Sequence, residues 1–334
     1  MLMYLLSTLA FAQNAIDLSL VKYGQVDTSN PAVELKFNQA TNKVSLSLSC
    51  GGQSFQKSSI ALSVGQKIAV ELPIKKGKAT CSGTLDAEFA DNTTGSMPLN
   101  FSIEMFDALK IDLDRSSVDM QKKSLKAKAS RAAERYEVSL LDVDQNEIGK
   151  GAIDVPKAKN TSAQEIRWDQ ASGEVAIIRI RSKDIYGFWS MIDLLPWHYD
   201  IPHEDVIFAS NQATIEDQEE PKLIAVKKEI DAVFAKYEKI AKANLYVAGY
   251  TDTVGNADSN QVLSQKRAKS IALWFQHKGF QGKIYYQGFG ESALAVPTGD
   301  GVDQAENRRA LYIVAAEAPP RSSDLPSSNW TLLP

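Results

Sequence analysis

Cysteine is almost missing from this chain: there are two, Cys50 and Cys81, in 334 residues. That scarcity excludes a cysteine-rich zinc module and a small scaffold held by many disulfides. Histidine is nearly as rare, and His198, His203 and His277 stand at no spacing that suits a metal, so no metal site is expected. An excess of either charge is also lacking. The 37 basic and 41 acidic side chains leave a net charge of -4 with no basic cluster, which argues against nucleic acid as a partner. After the first twelve residues no apolar run approaches the roughly 20 that a membrane-spanning helix needs. Aromatic residues make up 8%, and the alternating apolar runs are about half the ~9–11 residues of a membrane-barrel strand. No transmembrane span of either kind is therefore expected.

Catalytic constellations are missing as well. Gly288-Phe289-Gly290 continues with Glu291-Ser292-Ala293, so the third glycine of a dinucleotide fingerprint is absent and no cofactor is expected. Ser264 and His277 lie more than three helical turns apart, which breaks any triad with Asp252. Asp142-Val143-Asp144-Gln145-Asn146 begins like a calcium loop, but Glu147 and Ile153 occupy the positions where such a loop needs glycine and glutamate. It reads as a polar hairpin turn between Leu140 and Ile153.

With 44% hydrophobic and 23% charged residues the chain has material for sizeable cores, and its length predicts two or three domains. Residues 1–12, MLMYLLSTLAFA, end in an A-x-A-like Ala10-Phe11-Ala12, which predicts a signal peptide and export. A basic n-region is absent, and a buried first strand is the alternative. From Gln13 to about Phe106 the runs Val33-Leu35-Phe37, Val44-Leu46-Leu48, Ile68-Val70-Leu72 and Leu99-Phe101-Ile103 alternate, separated by turn compositions. This pattern predicts an all-β, immunoglobulin-like sandwich over 13–107. Leu109-Ile111-Leu113, Tyr136-Val138-Leu140, Ile153-Val155 and Val175-Ile177 repeat the style, with Trp168 and Trp189 as large core candidates, and predict a second sandwich over 108–200. Tyr186 to Pro202 reads as a last strand and a linker. Cys50 and Cys81 share parity with the apolar positions of their strands, so both thiols should face one core. Behind an export signal they are expected to form a disulfide; two buried thiols are the alternative.

The remainder predicts an α+β unit over 201–316. Asp205-Val206-Ile207-Phe208 reads as its first strand, followed by Asn211 and Thr214. Leu223, Val226, Ile230, Val233, Phe234, Tyr237 and Ile240 recur at three- and four-residue steps and predict a helix from about Glu219 to Ala241. The strand ending in Asp252 and strands at 283–287 and 310–315 complete a β-α-β-α-β-β order, with helices on one face of a mixed sheet. Residues 317–334, rich in proline and serine, read as a disordered tail.

The densest pattern runs from Asn244 to Lys278. An apolar strand ends at Thr251-Asp252, Gly255 and Asn256 supply a turn, and Asp258 with Gln261 resembles an N-cap and capping-box pair. On the helix that follows, Asn260, Ser264 and Arg267 share one face. A carboxylate at a strand end thus lies beside an amide and a guanidinium, a pocket for a ligand with both an amine and a carboxylate.

The pattern TDTVGNADSNQVLSQKRAKSI, then Gly288-Phe289-Gly290-Glu291, then Asn307-Arg308-Arg309, resembles the C-terminal domain of the outer membrane protein A (OmpA) family, shared by the stator protein MotB and the peptidoglycan-associated lipoprotein. The resemblance covers about the last third of the chain. It implies a non-enzymatic domain that grips the diaminopimelate of the peptidoglycan stem peptide. By resemblance, Asp252 would bind its amine, Arg267 its carboxylate and Asn260 the peptide, while Arg308 supports the site. Thr251, Asn211 and Leu263 would form the pocket wall. The bland alternative is that Asp252 and Arg267 merely pair with each other. The leading expectation is a periplasmic cell-envelope protein associated with peptidoglycan and the outer membrane, presenting its two sandwiches to an envelope protein partner. The alternative is a cell-wall hydrolase targeted by this domain, although the first two domains show no nucleophile–base pair.

Overall fold

The computed structural model describes residues 15–209, 212–327 and 329–334. The expected signal peptide, 1–12, and Asn211 lie outside the described residues. Alternation governs the first hundred residues. Strands β1 (Ile16–Val21), β3 (Ala32–Phe37) and β6 (Lys67–Glu71) form one antiparallel sheet. β2 (Tyr23–Gln25), β8 (Thr94–Phe106), β7 (Gly77–Phe89), β4 (Thr41–Cys50) and β5 (Gln53–Leu62) form another, in that order. Val33, Leu35 and Phe37 from the first sheet join Val44, Leu46, Leu48, Leu85, Phe101 and Ile103 from the second in one apolar core. Cys50 and Cys81 sit directly opposite each other on β4 and β7, fully buried, and are disulfide-bonded.

The next region has the same character. β13 (Gln164–Arg167), β10 (Ser124–Ala129) and β9 (Ile111–Asp119) make one sheet. β14 (Asp169–Gln170), β12 (Glu147–Asp154), β11 (Ala133–Leu141), β15 (Ile177–Asp184) and β16 (Trp189–Leu194) make the other. Trp168 is buried, but Trp189 is not the core residue its sequence context predicts: its ring lies on the surface under the Arg181 guanidinium, 4.4 Å away. The 142–146 segment is the expected hairpin turn, closed by Asp142 accepting the amides of Asp144 and Asn146. The chain divides into two compact units within this second region. One holds everything up to Glu137 with Ala152–Arg167 and Arg181–Ile192; the other holds Val138–Gly151, Trp168–Ile180 and Asp193–Pro334. In the first unit Arg131 donates from Nε to the fully buried carboxylate of Asp184, 2.9 Å away, and packs over the Phe106 and Phe188 rings.

The C-terminal part carries α1 (Glu220–Tyr237) and α2 (Ala257–His277) against a five-stranded sheet. Its order is β17 (His198–Asp200), β20 (Ala310–Ala315), β18 (Asn244–Tyr250), β19 (Ile284–Gly290), β21 (Thr331–Leu332). Only β18 and β19 run parallel, so the sheet is mixed. Period two sorts its side chains. Leu245, Val247, Ile284, Tyr286, Tyr312 and Val314 face the apolar stripes of both helices. Tyr246, Tyr250, Phe289 and Ile313 face the opposite way.

Three expectations need correction here. The first strand is not Asp205–Phe208: that segment makes bonds other than a ladder, with Ile207 N–H given to the Glu219 carboxylate and the Asp205 carboxylate accepting from Ala310 N–H. The ladder position beside β20 belongs to His198–Asp200. The N-cap of α2 is Asn256, whose side chain accepts from Asp258 and Ser259 N–H, while Gln261 donates to Gly288 O. Finally, the described residues of 317–334 are not a disordered tail. Leu325 and Trp330 cover the otherwise bare face of the sheet, and β21 adds to the edge of β19. Composition missed this because three well-placed apolar side chains, Leu325, Trp330 and Leu333, suffice to anchor a polar segment.

Candidate functional site

Two glycines set how close α2 comes to the sheet. Gly249 and Gly288 are neighbours on β18 and β19. A Cβ on Gly288 would lie 2.2 Å from the Gln265 backbone nitrogen, and one on Gly249 2.6 Å from Ser264 O. With no side chain at either place the helix lies flat on the strands, and Ser264 Oγ accepts from Gly290 N–H at 2.8 Å. The N-terminal half of α2 is thereby held at the C-terminal end of β18, where Asp252 emerges.

Asp252, Asn260 and Arg267 are all brought to this end and are all buried. Asp252 and Arg267 do not simply pair. One Asp252 oxygen accepts from Arg308 Nη1 at 2.5 Å, the other from Val254 N–H at 3.3 Å. Arg308 also reaches Asp303, and these two carboxylates raise its pKa. Arg267, 7% exposed, donates from Nε to Gln212 O at 3.0 Å and leans toward Ala209 O at 3.5 Å. Its guanidinium lies over the Phe208 ring, 5.0 Å from the centroid. Among the described residues it forms no ion pair. Burial pushes its pKa down, the Arg308 charge pushes the same way, and Asp252 opposes both. A buried cation with no carboxylate bonded to it is costly, and a carboxylate brought to it relieves that cost.

Asn260 donates to Asp252 O, Val254 O and the Glu291 carboxylate, at 3.3, 3.2 and 2.9 Å. Its NH2 group therefore locks the 252–254 turn. Thr251 is buried, its amide bonded to Gly290 O and its hydroxyl without a partner among the described residues. Leu263 lines an open cavity of about 640 Å³ together with Gln212, Ala213, Val254, Asn260 and Lys266. Neither Asp252 nor Arg267 lines that cavity.

Sequence reasoning missed several contributors. Glu291 and Asp303 are the carboxylates that engage Asn260 and Arg308. Thr253 accepts from Val302 N–H and donates to Gly299 O, fixing the loop that carries Asp303. In Asn307-Arg308-Arg309 only the middle residue reaches Asp252. Asn307 clamps both backbone groups of Val296, and Arg309 binds Asp324 under the Tyr250 ring. The motif itself was the only signal for these roles.

Residues 207–308 match the model of the OmpA family. Outer membrane protein P5 of Haemophilus influenzae is 33% identical over 124 residues, covering 37% of this chain and 32% of that protein. Outer membrane protein A of Klebsiella pneumoniae is 34% identical over 108 residues, covering 32% of this chain and 29% of that protein. The chain thus spans about a third of the length of these curated relatives. Among solved structures, the OmpA-like domain of FopA1 from Francisella tularensis aligns over 43% of this chain and 77% of its own, at 20% identity and a TM-score of 0.26.

Proposed function

We propose, from the OmpA-family match of residues 207–308, that this is a non-enzymatic cell-envelope protein that binds peptidoglycan non-covalently. The ligand group is the diaminopimelate of the stem peptide. Its carboxylate goes to Arg267 and its ammonium to Asp252, which Arg308 and Val254 N–H hold in place. The domain anchors two β-sandwiches, 13–107 and 108–200, in the periplasm, where they meet an envelope protein partner. Each of these regions has a three-stranded and a five-stranded sheet, which supports that reading.

The observation that carries the ligand assignment is the buried Arg267 guanidinium, without a carboxylate of its own among the described residues and close to a carboxylate already held by another arginine. A ligand with one charge of each sign completes both. A bidentate fork is what suits a carboxylate there, and lysine offers none. Arg267→Lys should therefore bind isolated diaminopimelate-type sacculi at least about thirtyfold more weakly than wild type, a loss of ~2 kcal/mol or more. Lysine-type sacculi, which lack the side-chain carboxylate, should lose binding to the same degree. Wild-type-like binding in both experiments would sink the two-point reading.

A further inference from the structure

The His203 side chain is 8% exposed, and both of its ring nitrogens face main-chain carbonyl oxygens: Nδ1 lies 2.7 Å from Ile201 O and Nε2 2.8 Å from Ala310 O. A carbonyl oxygen only accepts, and a neutral imidazole has only one N–H. With one proton, one nitrogen would point its lone pair at an oxygen lone pair. Only the doubly protonated ring satisfies both contacts.

The two carbonyls belong to segments that build the pocket. Ile201 begins the stretch 201–209, whose Phe208 ring and Ala209 carbonyl flank Arg267. Ala310 opens β20, two residues beyond Arg308, whose guanidinium holds Asp252. Asp205, on the same stretch, accepts from Ala310 N–H, so the two segments meet at a single residue.

We propose that His203 is a positioning residue for the Asp252–Arg267 pocket and a pH-sensitive latch. As an imidazolium it ties the 201–209 stretch to the start of β20; on losing its proton it lets go of one carbonyl, and ligand affinity falls. This rests on the binding reading above.

The surrounding groups favour the charged ring. Burial by itself lowers its pKa, but the Asp205 carboxylate, 3.6 Å from Nε2, and the two carbonyls outweigh burial, and the net shift is upward. From β20, Tyr312 meets the ring edge-on at 4.3 Å and is kept neutral by its own burial. Glu204, Lys222 and Glu229 line the adjoining cavity, and Lys222 is already committed to Glu219. Because the folded-state pKa lies above the ordinary value of about 6.5, the latch is fully closed below that pH. It opens as pH rises through the higher folded value.

The test measures binding of a diaminopimelate stem peptide at about pH 6 and about pH 8.5, either side of an ordinary imidazole. Wild type should weaken by about fivefold or more on going up, the lower end of ordinary coupling between sites. His203→Gln should bind at the weaker level throughout, with a flatter profile. Titration of the ligand's own amine affects both proteins alike and cancels in the comparison. Identical pH profiles for the two proteins would overturn the latch. The free protein provides an independent reading: amide exchange of 201–209 should speed up in wild type over the same pH range, beyond the intrinsic dependence, and not in His203→Gln. If no stem peptide binds at any pH while exchange still switches, the binding assignment is wrong and the latch stands; unchanged exchange overturns the latch itself.

Discussion

At the scale of single residues, the site is a chain of charges in which each member orients the next. Asp303 and Asp252 share Arg308, and Asp252 in turn acts on the charge of Arg267 without bonding to it. Removing Arg308 should therefore act through Asp252. Arg308→Ala leaves a carboxylate whose side chain is 10% exposed without its cation, and is expected to cost about 1–2 kcal/mol of stability, since the arginine itself is partly solvated. Sacculus binding should fall even though no direct ligand contact is assigned to Arg308. Urea midpoints and a pull-down on the same variant check both halves, and an unaltered pull-down would assign Arg308 to stability alone. Asn256→Ala probes a separate residue-scale feature, the cap of α2, and should lower stability by about 1 kcal/mol.

At the scale of elements, the position of α2 depends on what the strands omit and on what covers their far side. Gly288→Ala places a methyl group 2.2 Å from backbone that cannot rotate away, so helix or strand must shift, at a cost of about 1–3 kcal/mol or more. The shift would displace Asn260 and Arg267 together, and binding should weaken along with stability. On the other face, the C-terminal segment acts as a strap. Trp330 stands edge-on to Tyr246 at 5.1 Å, Asp324 pairs with Arg309, and its carbonyl accepts from Tyr250 Oη at 2.6 Å. Trp330→Ala should lower the thermal midpoint by an amount corresponding to about 2 kcal/mol, less than for a fully enclosed tryptophan. A chain cut before Arg321 should lose more than that. If calorimetry finds the truncated protein as stable as the full one, the strap contributes nothing.

At the scale of the whole molecule, two devices stiffen the β-rich part. The Cys50–Cys81 bond closes a loop with a sequence separation of 31, which in the chain-entropy model is worth about 3–4 kcal/mol. The pair is fully buried between β4 and β7, so native protein should show no thiol to an alkylating reagent until it is both unfolded and reduced. Intact mass before and after reduction reads this directly. Arg131 is the second device. Its loss would strand the fully buried Asp184, and Arg131→Ala is expected to destabilise the first compact unit by about 3–5 kcal/mol, tempered by the Tyr186 and Phe188 amides that also serve Asp184. The helix-bearing unit should unfold at an unchanged midpoint if the two compact units melt independently.

What the amino-acid sequence determined by itself was everything set by short-range periodicity and local chemistry. Alternation placed Val33, Leu35, Phe37, Val44 and Leu46 inside, and put Cys50 and Cys81 on the core side of their strands. The three-to-four spacing located α1 and α2 to within a few residues and gathered Asn260, Ser264 and Arg267 on one buried face. Tertiary structure decided the partnerships. Asp252 could have paired with Arg267, fifteen positions away, yet it takes Arg308, 56 positions away. The strand beside β20 went to His198–Asp200 because Ile207 N–H was given to the Glu219 carboxylate and the Asp205 carboxylate took the Ala310 amide instead of a ladder forming. A polar C-terminal segment became ordered because the face formed by Tyr246 and Phe289 was waiting to be covered. Each of these outcomes depends on groups distant in the chain competing for the same donor, edge or apolar face. Local pattern carries no record of such a competition, and only the folded arrangement settles which contact leaves the fewest buried groups unsatisfied.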